Sequence, residues 1–169
     1  MEVWRKNSNM NNIIHPLKPI YNSESKILIL GSFPSVISRE KRMYYANPQN
    51  RFWKVLSILF QEEIEDKEAF CLEHHIALWD VIQSCEIIGS NDSSIKNVLF
   101  NPIEELIEKT KIKVIITNGN KAKELFLKHF DLSLPFYSLP STSSANATYS
   151  LEKLCNHYKI IQEYCGEEN

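Results

Sequence analysis

Lys26-Ile27-Leu28-Ile29-Leu30-Gly31-Ser32-Phe33-Pro34-Ser35 is the stretch that decides the fold. A short run of Ile and Leu bounded by Ser25 and Gly31 reads as a buried central strand that empties into a small-residue loop. Downstream, Tyr44-Tyr45-Ala46-Asn47-Pro48-Gln49-Asn50-Arg51-Phe52-Trp53 reads as a polar-aromatic turn opening a helix from about Arg51 to Gln61. Phe52, Val55, Leu56, Leu59 and Phe60 recur on one face of that helix, and Asn50 stands where an N-cap is wanted. A strand followed by a helix is the unit of an open α/β sheet, in which ligands bind beyond the carboxyl ends of the strands.

The same alternation continues outward. Glu65–His74 reads as a helix and Ile76–Ile82 as a second buried strand. Gly89–Ser94 is a polar loop, and Asn101 is placed to cap a helix with Pro102 at its first position. Lys113–Thr117 is a third strand, running through Asn118-Gly119-Asn120 into a helix that carries Ala122, Leu125, Phe126 and Phe130. Phe136–Leu139 is a fourth strand, and a last helix spans about Ser150 to Cys165. Strands separated by helices need crossover connections. The expected architecture is therefore a three-layer α/β/α sandwich around a mainly parallel four-stranded sheet. In such a sheet the loops Gly31–Ser35, Asp80–Ser84 and Pro140–Asn146 gather at one end, and a site is expected there.

At 169 residues the chain is read as one domain, residues 23–169, preceded by a partly ordered arm, residues 1–22, rich in Asn with Pro16 and Pro19. Cys71, Cys85, Cys155 and Cys165 form no C-x-x-C pair, which argues against a zinc ribbon or iron–sulfur site and reads as buried thiols in a reducing compartment. No apolar run is long enough to span a bilayer and no signal-peptide core is seen, so the expectation is a cytoplasmic protein without a membrane partner. The net charge of −2 gives no global pull on nucleic acid. Between Arg39 and Lys54, however, Arg39, Lys41, Arg42, Arg51 and Lys54 face Glu40 alone, a local +4 on a body that sums to −6. That patch suits a few phosphates and equally suits a solvated helix face.

Taken together, Gly31-Ser32-Phe33-Pro34 and Asn47-Pro48-Gln49-Asn50-Arg51-Phe52-Trp53-Lys54 resemble the first block of the mismatch-specific uracil glycosylases, where a G-x-x-P turn precedes H-P-x-N-R-F-W-K. Further matching blocks are Leu78-Trp79-Asp80-Val81-Ile82, Ser84-Cys85-Glu86, Asn91-Asp92-Ser93-Ser94-Ile95 and Leu139-Pro140-Ser141-Thr142-Ser143-Ser144-Ala145-Asn146. With them, the chain is most similar to the hypoxanthine-DNA glycosylase branch of the uracil-DNA glycosylase superfamily over roughly residues 25 to 160. The resemblance implies an enzyme of base excision repair, with damaged DNA as partner. It would flip a deaminated base out of the duplex and hydrolyse its N-glycosidic bond, acting as a monomer without metal or organic cofactor.

The same resemblance distributes roles. Gly31 would allow close backbone approach, with Ser32 and Pro34 framing the turn, and Phe33 would stack on the base unless it is a core aromatic. Other branches carry Asn, Asp or Glu inside this turn to handle water, whereas this chain has Ser32 and Phe33. The water-handling group must then come from elsewhere, and Asn50 is the choice, against its reading as a helix cap; Asn47 is a weaker rival. Asp80 would read the base edge or polarise water, against a carboxylate that caps a loop. Tyr45 would form a pocket wall, and Asn118 would line the pocket or simply end its strand. In the second motif, Pro140, Ser141, Thr142 and Ser143 would grip the backbone. Ser144, Ala145 and Asn146 would fill the gap left by the flipped nucleotide, and Arg51 would contact phosphate. Leu139 stands where several branches have a His that stabilises the departing base, leaving Thr142 or backbone donors for that task. The alternatives are a uracil or mismatched-thymine glycosylase, and a non-catalytic DNA-binding relative. A P-loop, a G-x-G-x-x-G and a G-x-S-x-G elbow are all absent, which disfavours a nucleotide-binding protein or α/β hydrolase.

Overall fold

Four strands run parallel through the middle of a computed structural model that describes residues 11–166. In chain order the seven strands are β1 (Asn11–Ile14), β2 (Ile27–Gly31), β3 (Ile76–Asp80), β4 (Ile82–Ile87), β5 (Lys96–Phe100), β6 (Val114–Asn118) and β7 (Phe136–Leu139). The central sheet has the order β3-β2-β6-β7 and is parallel throughout, with Gly31 opposite Asp80 and Asn118 opposite Leu139. The helices are α1 (Val36–Lys41), α2 (Phe52–Phe60), α3 (Lys67–Glu73), α4 (Ile103–Glu108), α5 (Asn120–His129), α6 (Leu151–Tyr158) and α7 (Ile160–Cys165). Side chains alternate across a strand, so Ile27 and Ile29 face one layer and Leu28 and Leu30 the other. The first pair packs with α2, α3, α6 and α7, through Phe52, Phe70, Leu154 and Ile161. The second pair packs with α4 and α5, through Ile103, Leu106, Leu125 and Phe126. The expected three-layer sandwich is the fold.

A second sheet, three-stranded and antiparallel in the order β1-β4-β5, joins the α4 and α5 side and was not expected. The run Ile76–Ile82, read as one strand, breaks at Val81, where the chain leaves one sheet for the other. Asn101 holds that junction. Its Nδ2 donates to the carbonyls of Asp80 (2.8 Å) and Ile82 (3.1 Å), so it does not cap α4; Pro102 precedes that helix. The last helix is likewise two short ones, divided at Lys159. α1 was not foreseen because Ser38 is its only buried residue and no apolar stripe marks it.

Residues 1–10 of the expected N-terminal arm lie outside the described residues. Residues 11–22 are built into the body: β1 pairs with β4, Ile20 bridges Leu78 antiparallel, and Leu17 and Ile20 are buried. No helix among the described residues is long and apolar enough to cross a membrane.

Candidate active site

The strand ends gather a cavity of about 190 Å³, lined by Gly31, Ser32, Phe33 and Pro34 from the first turn and by Asp80, Asn118 and Ser141–Ser144 from the others. Tyr44, Tyr45, Asn47 and Asn50 close it from the loop before α2. Its size falls below the roughly 300–1,000 Å³ of sites that hold drug-sized ligands, so it suits a fragment such as one aromatic base.

Its floor is Gly31. A Cβ there would lie 2.5 Å from Asp80 Oδ1 and 3.3 Å from the Tyr45 hydroxyl, so only glycine lets these two groups close over the strand end. Asp80 is buried, and its other oxygen, Oδ2, is 2.6 Å from His15 Nε2, the two side chains being 4% and 3% exposed. His15 follows β1; its Nδ1 lies 3.2 Å from the Leu17 N–H, and its ring meets Phe33 edge-on at 5.8 Å. The sequence reading passed over His15. A lone His in an Asn-rich segment shows no periodicity or motif, and its partner stands 65 positions away.

Tyr45 sits at φ +53°, a left-handed conformation that costs energy for a residue with a side chain. The turn lays its ring on Phe52 at a centroid distance of 4.0 Å. Its hydroxyl is buried and makes no hydrogen bond among the described residues, and its pKa is raised, first by burial and then by the Asp80 charge, with the Asn118 side chain opposing. Phe33 lines the cavity but also belongs to the core, with Arg39 over its ring at 5.6 Å.

Asn50 lines the cavity and also fixes the start of α2, because its Oδ1 accepts the Phe52 N–H at 2.9 Å. The N-cap position itself is Arg51, so Asn50 acts one residue earlier than expected, through an Asx-type bond. Its Nδ2 has no partner among the described residues. Asn47 is bonded instead to its own turn, at Gln49 N (3.0 Å).

Asn118 and Thr142 form a closed pair: Nδ2 donates to Thr142 Oγ1 (3.0 Å) and Oδ1 accepts the Thr142 N–H (3.1 Å). Gly119, at φ +94°, lets Ser141 approach; a Cβ there would stand 3.2 Å from the Ser141 Cβ. Beyond it the Pro140–Asn146 loop is internally braced. Ser141 Oγ accepts the Ser143 N–H, Ser143 Oγ accepts the Ala145 N–H, Asn146 Nδ2 donates to the Ser141 carbonyl, and Tyr158 donates to the Pro140 carbonyl. Ser144 and Ala145 are exposed at the tip. Arg51 is committed to this loop. Its guanidinium donates to the carbonyls of Ser143 (3.0 Å), Asn146 (3.2 Å) and Tyr149, so it holds the tip in place where a direct phosphate contact was expected. Arg39 is similarly tied to the carbonyls of Pro34 and Gly89.

Asp92 and Ser90, assigned no role in the sequence reading, also line the cavity. They arrive on the loop between β4 and β5, the sheet that reading lacked. Ser32 Oγ donates to Asp92 Oδ1 at 3.1 Å.

The order of these blocks and the cavity they share decide the family. The uracil DNA glycosylase superfamily model matches residues 18–164, which includes every cavity-lining group. The chain belongs to the uracil DNA glycosylase superfamily. Within it, the chain is 36% identical over 137 residues to a hypoxanthine DNA glycosylase of Methanosarcina acetivorans, covering 78% of this chain and 87% of that one. It is 30% identical over 112 residues to the hypoxanthine DNA glycosylase of Methanosarcina barkeri, covering 63% and 71%. The solution NMR structure of a uracil DNA glycosylase candidate from M. acetivorans superposes with a TM-score of 0.71 at 29% identity, over 89% of this chain and 99% of that one. The superfamily fold is therefore shared by sequence and by shape, and the G-x-x-P turn of this member carries no acid or amide.

Proposed function

We propose that this protein is a monofunctional DNA glycosylase that removes a deaminated base, hypoxanthine before uracil, and leaves an abasic site for base excision repair. The observation that carries the reading is the convergence of Gly31–Pro34, Asp80, Asn50 and Ser141–Ser144 on one base-sized cavity at the strand ends of a uracil glycosylase fold. A base stacked in a duplex cannot reach a recessed pocket, so the nucleotide is extruded and the exposed Ser144–Ala145 tip, with Asn146 behind it, fills the space it leaves. Asp80, fixed by His15, accepts an N–H from the base edge. Asn50 orients water towards C1′ as the C1′–N bond breaks and its electron pair leaves with the base. Thr142 and backbone N–H groups near it stabilise that leaving base, since Leu139 has no polar atom to offer.

The glycosylase domain takes in residues 11–22 together with the expected 23–169, since β1, Ile20 and His15 are built into it. It acts as a monomer on damaged DNA, and the chemistry calls on neither metal nor organic cofactor. The four free cysteines support a reducing compartment, and we place the enzyme in the cytoplasm.

The test uses labelled duplexes that each carry one hypoxanthine, one uracil or one thymine mismatch, followed by alkaline cleavage of abasic sites. Strand cutting at hypoxanthine is expected with wild type, together with a loss of at least about 100-fold in a folded Asn50→Ala. Full activity in Asn50→Ala would leave Asn50 as a helix-start residue only. DNA binding without any cutting would favour a non-catalytic relative.

A further inference from the structure

We infer that Asp92 is the catalytic base of this site, taking the place of the polar side chain that the Gly31-Ser32-Phe33-Pro34 turn lacks. The inference rests on the glycosylase reading above. That reading leaves one gap: a water attacking C1′ must lose a proton, and an asparagine amide cannot accept it. The Asn50 carbonyl oxygen already accepts the Phe52 N–H, so it can hold a water by its second lone pair but not take its proton.

Two carboxylates line the cavity, and they are held differently. Asp80 is sealed against His15, with one oxygen pressed on Gly31. Asp92, exposed on its loop, borders the cavity and takes its single side-chain hydrogen bond from Ser32, inside the turn itself. Its loop is rigidly made. Asn91 Oδ1 accepts from Ser93 N and Oγ, Ser94 Oγ accepts the Ile88 N–H, and Ser90 Oγ accepts the N–H of Val36 at the start of α1. The carboxylate is thus delivered from a neighbouring strand pair to the position beside Ser32, with one oxygen left for water.

The electrostatics suit a base. Burial raises the Asp92 pKa first and the Asp80 charge adds to it, while the Ser32 hydrogen bond and Lys121 at the start of α5 oppose. On the β4 side the group facing it is the Cys85 thiol, itself pushed up to about 11 and steadied by Arg39. A carboxylate whose pKa is raised binds a proton more firmly than a free one, which favours accepting one in the transition state. In the step, the water oxygen bonds to C1′ and a water proton passes to Asp92. The C1′–N electron pair departs on the base, and the base regains a proton from solvent or from Asp92 as the site resets.

Single-turnover release of hypoxanthine from a duplex separates the outcomes, measured across the pH range in which carboxylates and histidine titrate. Wild type, Asp92→Asn and Ser32→Ala are compared, with duplex affinity and thermal unfolding followed on each. Asp92→Asn is expected to lose at least about 100-fold in rate at comparable duplex affinity, and to lose the acidic limb of the profile. Ser32→Ala keeps the base but removes a bond that favours its ionised form, so the limb should move to higher pH. Asp92→Asn with wild-type rate and profile overturns the proposal and leaves the glycosylase reading intact. If Asp92→Asn fails to fold, an unmoved limb in Ser32→Ala overturns it equally. Wild type that releases no base from any duplex brings down the glycosylase reading and this inference with it.

Discussion

The parallel sheet and the antiparallel sheet meet in one cavity but contribute different chemistry. β2 and β6, with the turns that follow them, bring the uncharged Gly31–Pro34, Asn118 and Gly119, whose two glycines let Asp80, Tyr45 and Ser141 approach closely. The antiparallel sheet brings charge and its control. His15 follows β1 and Asp92 lies between β4 and β5, and both meet Asp80, the last residue of parallel strand β3, or the turn beside it. The close fit around Gly31 and the charged groups held by His15 and Ser32 are thus separable by mutation.

The largest effect is expected where the two meet. Gly31→Ala places a methyl group 2.5 Å from Asp80 Oδ1, and because His15 pins the other oxygen the carboxylate cannot swing aside. A displacement of about 1 Å at a reacting centre costs about 100-fold in rate, so kcat for base release should fall by at least that amount in a protein that still folds. Retained activity would show that the floor is looser than its contacts imply.

Removing control without touching shape comes next. His15→Ala leaves the Asp80 carboxylate buried without its partner, and a hydrogen bond to a charged group contributes about 1.5–3 kcal/mol. A drop of about 10- to 100-fold in kcat is expected if the orientation of Asp80 is needed. His15→Gln, which keeps a donor, should recover part of it. If instead both variants lower the melting temperature equally and leave kcat alone, the pair is purely structural.

The smallest effect belongs to the loop held by Arg51. Arg51→Ala frees three carbonyls in a loop that remains attached, and should cost about 1–2 kcal/mol in stability with a weaker grip on duplex DNA. The salt dependence of binding distinguishes the two views of this residue. A slope unchanged by the mutation fits a brace; a slope reduced by nearly one ion fits a phosphate contact.

The contrast also marks how far the sequence could be read. Ile27–Leu30 and Val114–Ile116 were legible because fully buried parallel strands are continuous apolar runs, and the half-buried edge strand Phe136–Leu139 by its aromatic residues after a proline. β4 and β5 were not. Ile82–Ile87 interleaves exposed Gln83 and half-buried Glu86 with its apolar residues and puts the polar Ser84 in the core, and β5 begins Lys96-Asn97 with Asn97 at φ +52°. Of the cavity lining, Gly31–Pro34, Asp80, Asn118 and Ser141–Ser144 lie at or beyond the ends of parallel strands, where the sequence placed its expected site. His15 and Asp92 were missed because their meaning lies in pairings across sheets, which no local pattern encodes. Asp92 had left one trace, its place in the Asn91–Ile95 block that resembles the hypoxanthine-DNA glycosylase branch, to which no role was attached.

The bridge between Ile20 and Leu78 carries a consequence of another kind. β3 is the outer strand of the parallel sheet, and an uncovered outer strand is a template on which a second molecule can pair. The two hydrogen bonds between Ile20 and Leu78 cover that border, and the segment that makes them also carries His15. Chains that lose the segment to proteolysis would therefore be expected to aggregate as well as fall silent, and a precipitating preparation would report on its N-terminal integrity before it reported on its catalysis.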